Sequence, residues 1–75
     1  MKAKTLGESR VRTEFNPGNN DRVQNFKENY ARLINDLDEL NKSKFDSEQM
    51  RLLALALTTL EESAMWAVKL LTYNK

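Results

Sequence analysis

Seven cationic or flat side chains carry whatever chemistry this sequence has. Arg10 and Arg12 stand two apart in a basic N-terminal stretch, and Phe15 follows three residues on. Lys27 lies between Phe26 and Tyr30. Lys69 interrupts an otherwise apolar run, Trp66-Ala67-Val68 before it and Leu70-Leu71 after it. Guanidinium and ammonium groups bind phosphates through charge-assisted hydrogen bonds, and the rings of Phe15, Tyr30 and Trp66 offer faces on which bases stack. A compact anion bearing bases needs only a few cations and one or two flat groups. Each residue also has a plainer reading. Lys69 can lay its stem along apolar surface and keep its ammonium in water, Lys27 alone reads as an ordinary solvated helix charge, and Trp66 reads as a large anchor in a subunit interface.

Catalysis finds no support in the residue types. The chain has no histidine and no cysteine, so no Ser–His or Cys–His pair can be assembled and the usual soft and imidazole metal ligands are missing. Glu61 and Glu62 are adjacent, which on a helix points them about 100° apart rather than at one site. Two glycines leave no phosphate loop or dinucleotide fingerprint. The expectation is a non-enzyme with no catalytic residue, no metal and no cofactor. Long nucleic acid is also disfavoured, because the net charge is only +1 and no nucleic-acid-binding motif is present. The charge is unevenly spread, however. Lys2, Lys4, Arg10 and Arg12 face only Glu8 in the first twelve positions, while Asp36, Asp38, Glu39, Asp46 and Glu48 make the middle acidic. A basic arm of this kind suits an anion, or is a solvated tail on a balanced protein.

The elements that must position these groups are helical. Residues 1–14 show no sustained period, and residues 1–15 read as a basic arm. Val11–Phe15 could be a short extended piece, or more simply part of an ordered arm laid over the helices. Asn16-Pro17-Gly18-Asn19-Asn20-Asp21 is the strongest punctuation in the chain. It places a helix start between 16 and 21, with Asn16 and Pro17 as one alternative for cap and first position. Val23, Phe26, Tyr30, Leu33/Ile34, Leu37 and Leu40 then follow at gaps of three and four, the stripe of an amphipathic helix. Lys42 and Lys44 suit the negative end of its dipole. Asp46-Ser47-Glu48-Gln49 reads as a capping box, with Phe45 and Met50 at the positions of a hydrophobic staple. A second helix from 47 to 72, roughly 39 Å long, follows.

That second helix has two apolar stripes. Met50, Leu53, Leu57, Leu60, Ala64, Ala67/Val68 and Leu71 should pack antiparallel on the first helix through the short turn at 42–46. Leu52, Leu55/Ala56, Thr59, Ser63, Trp66 and Leu70 form a second stripe that one hairpin partner cannot cover. A chain of 75 residues without disulfides or metal is marginally stable alone. Leaving Leu52, Leu55, Trp66 and Leu70 in water forfeits about 1.5–3 kcal/mol each. The sequence therefore predicts an all-α fold, an antiparallel helical hairpin (residues 16–75) behind an N-terminal arm (1–15), assembling into a compact homo-oligomer. Ala56, Ser63, Ala64 and Ala67 would permit close helix approach. No apolar stretch follows Lys2 and Lys4, and no run approaches the ~18 residues of a membrane span, which points to a cytoplasmic protein.

Three segments resemble one family. Arg10-Val11-Arg12-Thr13-Glu14-Phe15-Asn16-Pro17, then Val23-x-x-Phe26-Lys27, then Leu60-Glu61-Glu62-Ser63-Ala64-Met65-Trp66-Ala67-Val68-Lys69 are similar to the small phage proteins of the anti-CBASS and Thoeris anti-defence hairpin family, over roughly residues 9–73. The resemblance implies a helical hairpin assembled into a homo-oligomer, a hexamer in the best-known members. It implies a sponge in the host bacterial cytoplasm that binds cyclic di- or trinucleotide messengers, or cyclic ADP-ribose types, and sequesters them without cleavage. By the same resemblance Lys27 matches the lysine early in the first helix and Lys69 the late basic position. The arm's stacking position falls near Arg12, where relatives carry an aromatic, or on Phe15. Asn29 is a further candidate for a polar ligand contact. The rival readings are a structural or protein-binding hairpin acting on a host protein, and a weak binder of single-stranded nucleic acid.

Overall fold

A computed structural model of the chain describes residues 4–16 and 18–73. The ends of the arm and of the hairpin domain, and the reading of Pro17 as a first helical position, lie outside the described residues. Among those described there are three helices and no strand. They are α1 (Leu6–Val11), α2 (Asp21–Asp38) and α3 (Ser47–Leu71).

Residues 4–15 of the arm lie ordered over the helices, the simpler of the two readings, and the alternative extended piece at Val11–Phe15 is instead the end of a helix and a turn. The reason is local. Thr5 and Glu8 form a capping box, with the Glu8 backbone N–H donating to Thr5 Oγ1 at 3.1 Å and the Thr5 N–H donating to Glu8 Oε1 at 2.9 Å. Two orphan donors are satisfied at once, so six residues suffice for a helix that has a surface to lie on. That surface is α2. A Cβ built on Gly7 would stand 2.0 Å from the carbonyl oxygen of Ala31, so only glycine permits this approach. The Gly7 N–H donates to Asn35 Oδ1 at 2.7 Å and fixes the register.

Asn20 caps α2, its side chain accepting from the N–H groups of Arg22 and Val23 at 2.9 and 3.2 Å. Asn16 braces the turn instead of capping the helix: its side chain accepts from Asn20 N–H at 3.1 Å and donates to the Asn20 carbonyl at 2.9 Å. Asn19 takes the left-handed conformation, φ 48°, a region asparagine tolerates. At the far end Lys42 reaches back to the Asp38 carbonyl and carboxylate, a cation at the negative end of the dipole. The box at Asp46 and Gln49 is present as expected, at 2.8 and 2.9 Å.

The buried face of α2 is turned by one residue from the expected stripe. Val23, Lys27, Ala31 and Ile34 are buried, whereas Phe26, Leu33 and Leu40 are exposed. Because α1 lies against Ala31, the core forms on the line between the hairpin seam and the arm. Val11, Ala31, Ile34 and Ala64 form its centre, with Leu6, Tyr30, Leu57 and Leu60 packed around it. On α3, Leu53 and Ala64 of the first stripe are buried while Met50 is exposed.

The second stripe is bare. Leu52 is 52 % exposed, Leu55 48 %, Trp66 60 % and Leu70 75 %. The chain measures 47 × 34 × 12 Å, so its thin axis is about one helix diameter, whereas domains usually close a core between two layers. It exposes 6053 Å² at 8.7 kDa; a compact monomer of that mass exposes about 4,700 Å². No helix among the described residues is long and apolar enough to cross a membrane.

Candidate functional site

Four of the eight predicted site residues meet in one cleft. Arg10 comes from the last turn of α1, Arg12 and Phe15 from the turn after it, and Lys27 from the second turn of α2. Glu61, Ala64, Met65 and Val68 of α3 form the opposite wall, and the cavity measures about 340 Å³. This is at the lower end of the ~300–1,000 Å³ typical of small-molecule sites.

The turn that carries Arg12 and Phe15 is held by its own backbone and by Lys27. Arg12 ends α1 in the left-handed region, φ 54°, with its N–H returned to the Glu8 carbonyl. A residue with a Cβ rarely adopts this conformation. The Phe15 N–H donates to the Arg12 carbonyl at 2.9 Å. Lys27 completes the arrangement: its Nζ donates to the Arg12 carbonyl at 3.1 Å and also to the Phe15 carbonyl. It lies 5.5 Å from the centre of the Phe15 ring, within cation–π range.

Lys27 is thus not the solvated helix charge of the plainer sequence reading. It is 6 % exposed, and burial, with the Arg12 guanidinium nearby, holds its ammonium below the usual lysine range. Arg10 Nη1 stands 3.5 Å from Glu61 Oε2 across the mouth of the cleft. Arg10, Arg12 and Lys27 against the single carboxylate of Glu61 leave the cleft net positive.

The remaining predicted residues lie elsewhere. Trp66 and Lys69 share the outer, exposed face of α3, with Lys69 Nζ 5.5 Å from the centre of the indole ring. Trp66 Nε1 points at Glu62 Oε1 at 3.5 Å. Tyr30 is half-buried on the hairpin seam, its hydroxyl 2.8 Å from Ser63 Oγ, and Asn29 is exposed on α2. Within one chain neither Trp66 nor Lys69 lines the cleft.

Glu61 is the cleft residue that sequence reasoning passed over. Glu61 and Glu62 do diverge as adjacent helix positions must, one toward Arg10 and the other toward Trp66. The usable signal was spacing: Glu61, Ala64, Met65 and Val68 recur at three, four and seven residues, which puts Glu61 on the edge of the packed face. A second, larger groove of about 620 Å³ lies between α1 and α2. Its carboxylates Glu8, Glu14 and Glu28 outnumber Lys4 and Arg32, so its charge does not suit an anion.

An ordered arm clamped on a helical hairpin, with a small cationic cleft beneath the clamp, is an arrangement able to hold a compact anion. Comparison with known proteins gives the family. A family model described as the Acb2/Tad1 hairpin domain matches residues 8–72, nearly the whole chain, and the protein belongs to that family, the one that its sequence resembles. No curated protein and no solved structure matches the chain.

Proposed function

We propose that this protein is an anti-defence sponge. It binds cyclic oligonucleotide immune messengers, cyclic di- and trinucleotides and the cyclic ADP-ribose type, and holds them uncleaved in the host bacterial cytoplasm, so that CBASS or related signalling loses its signal. The observation that carries this reading is the convergence of Arg10, Arg12, Phe15 and Lys27 on one cleft in a chain that the family model matches over residues 8–72.

The mechanism is electrostatic. A small ring of phosphates needs cations from separate elements, and its bases need flat partners. Arg10 and Arg12 supply planar, permanently charged donors that pair with phosphate and stack on bases, and Phe15 supplies a ring. Lys27 fixes the turn that presents them. The active form is a homo-oligomer, a hexamer by analogy with the family, sealed by Leu52, Leu55, Trp66 and Leu70. In that assembly Lys69 and Trp66 of a neighbouring subunit reach the ligand. Desolvation at such a seam strengthens each charge-assisted contact. Retention without cleavage is supported by the lack of histidine and cysteine, the residues that most often activate or supply a nucleophile.

The test is thermal shift and calorimetry of the purified protein with a panel of cyclic di- and trinucleotides and cyclic ADP-ribose isomers. The ligand is then recovered by denaturation. Saturable stabilisation with intact ligand recovered is the expected result. Product in the recovered fraction would overturn sequestration, and no binding across the panel would overturn the messenger reading.

A further inference from the structure

A carboxylate in a cleft built for an anion demands a reason. Glu61 stands on the wall of the cavity that Arg10, Arg12 and Phe15 line, anchored on a 25-residue helix beside the buried Ala64. Arg10 Nη1 reaches it across the cleft at 3.5 Å, too long for a strong charge-assisted bond. When a phosphate engages the two guanidiniums, the Glu61 carboxylate becomes an acceptor-only group inside a filling site, and it must find donors on the ligand or repel it.

Messenger phosphates and sugars offer a carboxylate little, but bases differ sharply. The Watson–Crick edge of guanine presents two adjacent donors, N1–H and the 2-amino group, which match the two oxygens of a carboxylate. Adenine presents one amino donor beside the N1 lone pair, which repels it. We infer that Glu61 is the base-reading residue of the cleft and that it selects messengers containing guanine over those containing only adenine. This rests on the proposed messenger binding and deepens it. Phe15 and the Arg12 guanidinium provide the planes between which such a base is held, as in other sites that read an unstacked base by its edge.

Three probes separate this from simple repulsion: cyclic di-GMP, cyclic di-IMP (which keeps N1–H and lacks the 2-amino group) and cyclic di-AMP. Affinities are measured by calorimetry on the native protein and on Glu61→Gln. A bidentate base contact discriminates by roughly tenfold or more. The native protein should therefore bind in the order di-GMP, di-IMP, di-AMP, with at least that span between the ends. Glu61→Gln presents one acceptor and one donor, the pattern that pairs with adenine, and should gain on cyclic di-AMP while losing on cyclic di-GMP. Equal gains on all three probes would show that Glu61 only repels anions, and equal native affinities would likewise overturn base reading while leaving the sponge intact. Failure of all three to bind, with a messenger of another class binding, would overturn base reading alone; failure of every messenger would remove both.

Discussion

The ammonium of Lys27 and the backbone carbonyl of Arg12 are 3.1 Å apart, fifteen residues apart in sequence, and this contact joins the arm to the hairpin at the cleft. With the second carbonyl, that of Phe15, it makes Lys27 a clamp on the turn. Replacing it with methionine keeps most of the apolar stem but leaves the two carbonyls without their cation. Lys27→Met should cost roughly 1–3 kcal/mol of unfolding free energy, read by urea denaturation, and should weaken messenger binding through Arg12 and Phe15. Unchanged stability would mean that the clamp contributes nothing to the fold.

The same group makes a prediction in pH. Burial, and after it the charge of Arg12, holds the Lys27 ammonium below its ordinary 10.5. Between that lowered value and 10.5 the unfolded chain binds the proton that the folded chain has lost, so stability rises with pH there. Below this window the full desolvation cost persists. The stability of the native protein relative to Lys27→Met should therefore increase as pH climbs toward 10.5, in paired thermal melts. A difference that is flat or falls would contradict the direction of the shift.

Gly7 carries the other junction. Since a Cβ there would lie 2.0 Å from the Ala31 carbonyl oxygen, Gly7→Ala must push α1 off α2 and stretch the 2.7 Å bond from Gly7 N–H to Asn35 Oδ1. The expected loss is about 1–3 kcal/mol, as for overpacking, with the arm's amides exchanging faster in hydrogen exchange while the hairpin's are little changed.

How much of this was legible beforehand divides by range. The Asp46 capping box, the helix expected over 47–72 and its second stripe follow from periodicity and local chemistry, and the structure has them there, with the helix ending one residue earlier at Leu71. The arm helix carried a readable signal too, Thr5-x-x-Glu8, but six residues make no periodic stripe to draw attention to it. What could not be read was the direction of approach. Gly7 on Ala31 turns the buried face of α2 toward the line of Lys27, and nothing within residues 21–38 reports that a glycine from the arm will arrive there. For the site, Arg10, Arg12, Phe15 and Lys27 meet as residue types suggested, while Glu61 belongs to a wall that only the packing of the arm against α3 creates.

Assembly is the next expectation. Leu55 sits on the bare stripe, 48 % exposed, beside Leu52, and burying such a side chain is worth about 1.5–3 kcal/mol. Light scattering on the native protein should give a mass several times 8.7 kDa. A charge placed inside that interface also costs desolvation, so Leu55→Glu should dissociate the assembly at micromolar concentration. A native protein of monomer mass would defeat the two-stripe argument outright.

Lys69 decides whether the outer face of α3 binds ligand or only packs. In the single chain its ammonium lies 5.5 Å from the Trp66 ring centre and remains exposed, an arrangement worth about 0.5–1 kcal/mol at such a site. Removing it should therefore disturb folding by no more than that, and Lys69→Ala should keep the native oligomer mass. A cation that meets a phosphate across a desolvated seam contributes more, about 1.5–3 kcal/mol for a charged hydrogen bond, which corresponds to a loss of roughly tenfold to a hundredfold in messenger affinity. Calorimetry of Lys69→Ala beside Lys69→Arg separates the roles, since arginine restores the charge. Affinity lost in the first variant and recovered in part by the second places Lys69 on the ligand. Native affinity in both would leave it as a lysine whose stem lies along Trp66 and whose charge belongs to the solvent.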